Sequence, residues 1–136
     1  MLNDIIKTVA DKLSDSGVSP VYSAFDGVPA EQKCRGIYTV VGVENFSSTA
    51  PVYSLSAVYL PFRTDISIRV TAPKDMSAEK LFGYYSSKIA PALDDLSGLS
   101  CSLSKLTLKY DSNISRLVLT AILSAGGVTR IERSLS

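Results

Sequence analysis

The side chains able to perform chemistry are few in this chain of 136 residues. It contains no histidine, so the commonest general base near neutral pH and the commonest zinc ligand are both missing. Its two thiols, Cys34 and Cys101, are too far apart for a CxxC motif and too few for a disulfide framework. We therefore expect no catalytic residue, no cofactor and no metal site, and we predict that the chain is not an enzyme.

The cysteines leave one alternative open, which is a thiol-dependent enzyme or a binding domain of the cytosol. Such a protein would need a thiol whose pKa is lowered by a basic neighbour. Cys34 is the better candidate because Lys33 and Arg35 flank it in the sequence. Without a histidine or a second nearby thiol, we interpret both cysteines as structural.

A serine followed three residues later by a lysine occurs twice, at Ser77 and at Ser102. This spacing can set a lysine against a nucleophilic serine, but the Ser-Asp-Asn and Lys-Thr-Gly elements that accompany it in such enzymes are absent. Ser77 also stands where it can cap a helix, and we interpret it as a cap. The sequence contains no glycine-rich phosphate-binding loop.

Composition narrows the range of partners. Fourteen basic and thirteen acidic residues leave a net charge of +1, so no specific nucleic-acid partner is expected. No stretch reaches the roughly 18 consecutive apolar residues of a membrane-spanning helix, and the first residues lack the pattern of a signal peptide. We expect no membrane partner. The length predicts a single domain over residues 1–136.

The periodicity of apolar residues predicts the elements that must position any site. Leu2, Ile5, Ile6, Val9 and Leu13 recur at helical spacing, which predicts a helix over about residues 3–15 that ends at a glycine. A second helix is predicted after a cap at Asp75 or Ser77, with a kink or a short break at Pro91 and a stop at Gly98. The apolar positions of this second helix are Leu81, Phe82, Tyr85, Ile89, Leu93 and Leu96.

Alternating residues predict the strands. A strand buried on both faces is expected from Ile37, followed by a turn over residues 45–51 and strands over residues 52–60 and 62–71. After the second helix, strands are predicted over residues 101–110 and 116–124, and a reversal at residues 126 and 127 leads into a short edge strand. The hairpin connections predict an α+β fold, a mainly antiparallel sheet covered on one face by two helices in a two-layer sandwich.

This order of elements resembles the tail terminator and neck proteins of tailed bacteriophages. The resemblance rests on the opening helix LNDIIKTVADKL, the long hairpin over residues 37–70, the helix LFGYYSSKIAPALDDL and the closing hairpin LTLKYDSNISRLVLTAILSAGG. These segments cover most of the chain, although none of them is a catalytic or ligand-binding motif.

The resemblance implies a virion structural protein that caps the tail tube of a phage or phage-like particle, ends its polymerisation and joins it to the head. It implies a homohexameric ring whose partners are the tail tube protein and the head-tail connector proteins. It also implies a location in the virion tail or neck, after assembly in the bacterial host cytoplasm. Another connector or a minor tail component is the alternative within this class.

Four residues are predicted to form an assembly interface. Arg63, Asp65 and Arg69 share the polar face of one strand, and their mixed charges could complement another subunit. Tyr53 adds a ring of the kind that is enriched at protein interfaces. The alternative is a strand face that simply meets water.

Overall fold

The computed structural model describes residues 2–18, 20–23, 36–94, 96 and 99–132. They form one open sheet with a layer of helices on one face. The predicted α+β class is confirmed. The strands are β1 (Val21–Ser23), β2 (Tyr38–Ser48), β3 (Val52–Tyr53), β4 (Ala57–Pro73), β5 (Ser100–Asp111) and β6 (Arg116–Glu132). The helices are α1 (Leu2–Asp15), α2 (Ala78–Tyr84) and α3 (Ala90–Leu93), with a π-helical turn (Tyr85–Ile89) between α2 and α3.

The strand order across the sheet is β1-β2-β4-β6-β5, and the short β3 pairs with β4. The β1–β2 pairing is parallel, and the other pairings of the described strands are antiparallel. The two central strands, β4 and β6, are each 17 residues long and pair over their whole length. Two such strands set the length of the sheet, and the shorter strands flank them.

Alternation along β4 separates the two faces of the sheet. The helices cover one face, here called the helical face, and the opposite face is called the outer face. Core residues of the helical face come from β4 and β6 at every second position: Phe62, Ile66, Ile68, Val70, Ala72, Leu119, Ala121, Leu123 and Ala125. The predicted half-buried strand over residues 62–71 is therefore confirmed as part of β4.

Helix α1 packs its apolar stripe on the helical face, where Ile5, Val9 and Leu13 are buried. The helix ends as predicted, because Gly17 takes a φ of +93°, a backbone conformation that side chains disfavour. The amide of Val18 donates to the carbonyl oxygen of Leu13 at 2.9 Å and closes the last turn. Ile6 is half-buried, so it marks the border of the buried stripe.

The second helical segment differs from its prediction in one detail of geometry. The irregular turn lies at Tyr85–Ile89, before Pro91 rather than at it, and the amide of Ala90 donates to the carbonyl oxygen of Tyr85 five residues back. A proline ring clashes with the carbonyl four residues before it, and a widened turn there relieves that clash. Phe82, predicted to be apolar core, is 41% exposed.

Two predictions about turns in the first half of the sheet are wrong. Strand β2 continues to Ser48, through the first part of the turn predicted over residues 45–51, because a bulge between Val43 and Asn45 lets the polar residues that follow keep pairing with β4. The single strand predicted over residues 52–60 is instead β3, a tight turn and the start of β4. In that turn the amide of Ser54 donates to the carbonyl oxygen of Ala57 at 2.9 Å.

The reversal predicted at Gly126 and Gly127 is also wrong, because both residues lie inside β6. They stand opposite Arg63 and Phe62 of β4. A Cβ on Gly126 would lie 3.4 Å from the carbonyl oxygen of Phe62, which is an ordinary van der Waals distance, so the pairing there does not depend on the absence of a side chain. The residues predicted as a separate edge strand continue β6.

Candidate assembly interface

Strand β5 forms one edge of the sheet. It comes last in the strand order, and within the described part of the chain no strand pairs with its outer side. Backbone N–H and C=O groups alternate between the two sides of a strand, so a row of donors and acceptors points away from β6. The strand is 12 residues long. Such an edge can accept a strand from another chain.

A bulge divides this edge strand into two parts. The register of β5 with β6 shifts between Leu103 and Lys105, which leaves Ser104 as the extra residue. From Lys105 to Asp111 the pairing is continuous. Only this second part offers a regular edge.

The two faces of the regular part of β5 differ in chemistry. Leu106, Leu108 and Tyr110 lie on the helical face, where the two leucines pack partly against the core and Tyr110 is 53% exposed. Lys105, Thr107, Lys109 and Asp111 alternate with them on the outer face. The edge therefore combines an incompletely covered apolar row with a row of opposite charges.

The outer face carries a shallow groove beside this edge, with a volume of about 640 Å³. Val118, Thr120 and Ile122 of β6 form its floor. Its charged lining residues are Glu44, Arg69, Lys105, Lys109 and Asp111. Basic side chains thus outnumber acidic ones along the edge of β5.

The structure places three of the four predicted interface residues together. Arg63, Asp65 and Arg69 all project from the outer face of β4. The side chain of Asp65 accepts a hydrogen bond from the Asn45 side-chain amide at 2.6 Å, which ties it to β2. Tyr53 is separate from them, because its pairing opposite Val58 puts it on the helical side.

Tyr53 belongs to a projecting part of the sheet, here called the arm, formed by β3, residues 57–61 of β4 and residues 128–132 of β6. In the arm, β4 and β6 extend beyond the pairing of β2 and β5. The arm and its turn hold five of the eight large apolar side chains that are exposed in the described residues. These five are Val52, Tyr53, Leu55, Val128 and Ile131.

The residues considered for catalysis lie apart from one another or serve structural roles. The Ser77 hydroxyl accepts a hydrogen bond from the Lys80 amide at 3.2 Å and caps α2, which confirms the cap interpretation. Ser102 and Lys105 lie on a strand with the bulge between them. Burial raises the pKa of the Cys101 thiol, so the thiolate needed for nucleophilic attack is disfavoured. Cys34 lies outside the described residues.

Two further kinds of functional feature can be judged in the residues that the structure describes. Among them, no group of three or more carboxylate or cysteine side chains is placed to hold a metal ion. None of the described helices is long and apolar enough to cross a membrane.

Comparison with known proteins gives structural similarities only. The type 4 fimbrial biogenesis protein PilO from Pseudomonas aeruginosa is 13% identical, with a TM-score of 0.32 over 97% of this chain and 69% of that chain. The core region of PilO from the type IV pilus system of the same organism is 14% identical, with a TM-score of 0.26 over 83% of this chain and 97% of that chain. No family model and no curated protein matches. These low scores assign no function to the chain.

The resemblance to phage tail terminators is wrong. The two solved structures compared above are pilus biogenesis proteins, and no family model supports a phage family. The implied role in capping a tail tube and the implied location in a virion tail or neck are overturned with it. The tail tube protein and the connector proteins were expected as partners only because of this resemblance.

The edge of β5 was not among the residues predicted to form an interface. The strand itself was expected, but its position at the end of the sheet follows from pairings between residues far apart in the chain. The only local signal was the alternation of Lys105, Lys109 and Asp111 with apolar residues, a pattern that solvated strands share.

Proposed function

We propose that this domain is a non-catalytic structural subunit that assembles with further copies of itself by extending its sheet. The observation that carries the proposal is the regular edge of β5, which has no partner strand among the described residues on its outer side, beside the exposed ring of Tyr110. An edge of this length presents a regular row of donors and acceptors that another strand can satisfy together. Covering the partly exposed apolar row beside it adds a hydrophobic gain.

The chemistry of the side chains supports the non-catalytic part of the proposal. The whole sequence lacks histidine, and burial keeps the Cys101 thiol in its protonated form near neutral pH. The groove on the outer face is wide and shallow rather than a closed pocket with converging groups. A homohexameric ring and the lack of nucleic-acid and membrane partners remain predictions.

Light scattering and amide hydrogen exchange of the purified protein test the proposal together. We expect the molecular mass to rise with concentration, and the amides of residues 105–111 that point away from β6 to gain protection over the same range. Amides of the central strand β4 are the internal control, because they lie between two strands at every concentration. A monomeric mass up to millimolar concentration, with unchanged exchange in β5, would refute self-assembly.

A further inference from the structure

We propose that the edge of β5 pairs with the same edge of a second copy, antiparallel and with Leu108 opposite Leu108. The inference rests on the proposed self-assembly and specifies its geometry. A two-fold axis perpendicular to the sheet would pass between the two Leu108 residues, so each residue on one copy faces its counterpart at an equal distance beyond the axis. The two sheets then form one continuous sheet with both helical layers on the same side.

Charge complementarity selects this register. With Leu108 at the centre, Lys105 lies opposite Asp111 of the second copy, and symmetry repeats the pair on the other side. Both side chains are on the outer face, so they can meet directly. Lys109 lies opposite Thr107, and no two lysines stand directly opposite each other. On the helical face, Leu106 meets Tyr110 and covers its exposed ring.

The neighbouring registers are worse for identifiable reasons. Centring the pair on Thr107 places Lys105 opposite Lys109 twice, and like charges directly opposite each other destabilise a sheet. Centring it one residue later than Leu108 shortens the regular pairing to residues 107–111 and leaves Lys105 facing the turn after β5. Registers centred nearer Ser104 run the pairing through the bulge. The Leu108 register is the longest that stays clear of both the bulge and the turn.

Two charge reversals test the register through complementation. In a homodimer, Lys105→Asp places a second carboxylate opposite Asp111, and Asp111→Lys places a second ammonium group opposite Lys105. Each variant alone should associate about tenfold or more weakly than the wild type, because two attractive pairs become repulsive. An equimolar mixture can form a mixed dimer that has no like-charge pair at either of its two sites, whereas each homodimer has a like-charge pair at both.

The two sites of that mixed dimer are not equivalent. At one site the new carboxylate at position 105 of the first variant faces the new ammonium group at position 111 of the second variant. These two charges attract each other. At the other site the two unchanged partners, Asp111 of one copy and Lys105 of the other, also attract. Both sites are therefore opposite-charge pairs, and we expect a mixed dimer of near wild-type affinity.

Two controls keep the result interpretable. Asp111 also accepts a hydrogen bond from the Asn113 amide at 2.9 Å in the turn after β5, so Asp111→Lys can lower thermal stability. The double variant keeps that defect but regains both ion pairs, and we expect its self-association to recover. Lys109→Asp makes the same reversal on the same edge opposite an uncharged threonine, and we expect it to change the affinity far less.

Sedimentation equilibrium of the single variants, their mixture and the double variant gives the decisive readings. Association of the Lys105→Asp and Asp111→Lys proteins at wild-type strength, or a mixture that stays as weak as its components, would overturn the register. Self-assembly itself would survive that result, because the wild-type mass tests it separately. A wild type that is monomeric at every concentration would overturn both.

Discussion

Two buried threonines on the helical face should respond in opposite directions to the same substitution. The Thr64 hydroxyl donates to the carbonyl oxygen of Asn45 at 2.7 Å, beside the bulge in β2. Thr39 is fully buried, and among the described residues its hydroxyl has no hydrogen-bond partner. Valine has nearly the shape of threonine without the hydroxyl, so Thr64→Val and Thr39→Val compare a satisfied with an unsatisfied buried group.

The magnitudes follow from what each hydroxyl does. Removing the hydrogen bond of Thr64 should lower the free energy of unfolding by about 1 kcal/mol, because the Asn45 carbonyl loses its donor at the bulge. A buried hydroxyl without a partner costs about 1–3 kcal/mol, so Thr39→Val should stabilise the fold by about 1 kcal/mol. For a chain of this length, each change corresponds to a shift in Tm of about 3–4 °C.

Thermal and urea unfolding of the two variants, followed by circular dichroism, measure both changes. Thr64→Ser is the matched control, because it keeps the donor and removes only a methyl group. The reasoning would be refuted if Thr39→Val lowered the Tm as much as Thr64→Val does. The Thr39 hydroxyl would then have a hydrogen-bond partner that stabilises the fold.

Glycine substitutions and alkaline pH give two further predictions. Gly17→Ala should lower the free energy of unfolding by about 1 kcal/mol, because the φ of +93° strains a residue with a side chain. Gly83→Ala, at an exposed position of α2, should raise the free energy of unfolding by about 1 kcal/mol. Differential scanning calorimetry of both variants measures the direction of each change in Tm. Burial, and then the charge of Asp94, raise the pKa of Tyr85 above 10.0, so stability present below pH 10 is lost as pH rises further. Tyr85→Phe should lessen that loss, and a pH series of unfolding midpoints identical to the wild type would contradict this.

Local patterns were enough to predict most of the fold. The stripe on α1, the alternation in β4 and the cap at Ser77 are each encoded by residues close together in the chain. Their predicted types survive in the structure because the local preference and the tertiary environment agree. The strand order could not be read in the same way, because most residues of β4 pair with residues of β6 more than fifty positions later.

The glycine pair at residues 126 and 127 shows why some strand boundaries were predicted incorrectly. Two consecutive glycines are a turn signal when only neighbours in sequence are considered. In the sheet they stand opposite Arg63 and Phe62 and pair with them in the same unbroken register as the rest of β6. The same residue type is compatible with both situations, and only the strand across the sheet distinguishes them.

The bulge in β5 could not be predicted from the sequence either, and it affects the geometry of the proposed dimer. The sequence predicts one uninterrupted strand over residues 101–110. In such a strand, Leu103 and Lys105 would lie on the same face, and pairing with a second copy would be centred on the middle of the strand. The bulge at Ser104 changes that phase, so Leu103 lies on the helical face and Lys105 on the outer face. Lys105 and Asp111 share a face because they are six residues apart in the continuously paired part of the edge, and Leu108 lies midway between them. The bulge thus determines where the regular edge begins, and the turn after Asp111 determines where it ends, so together they make Leu108 the centre of the proposed pairing.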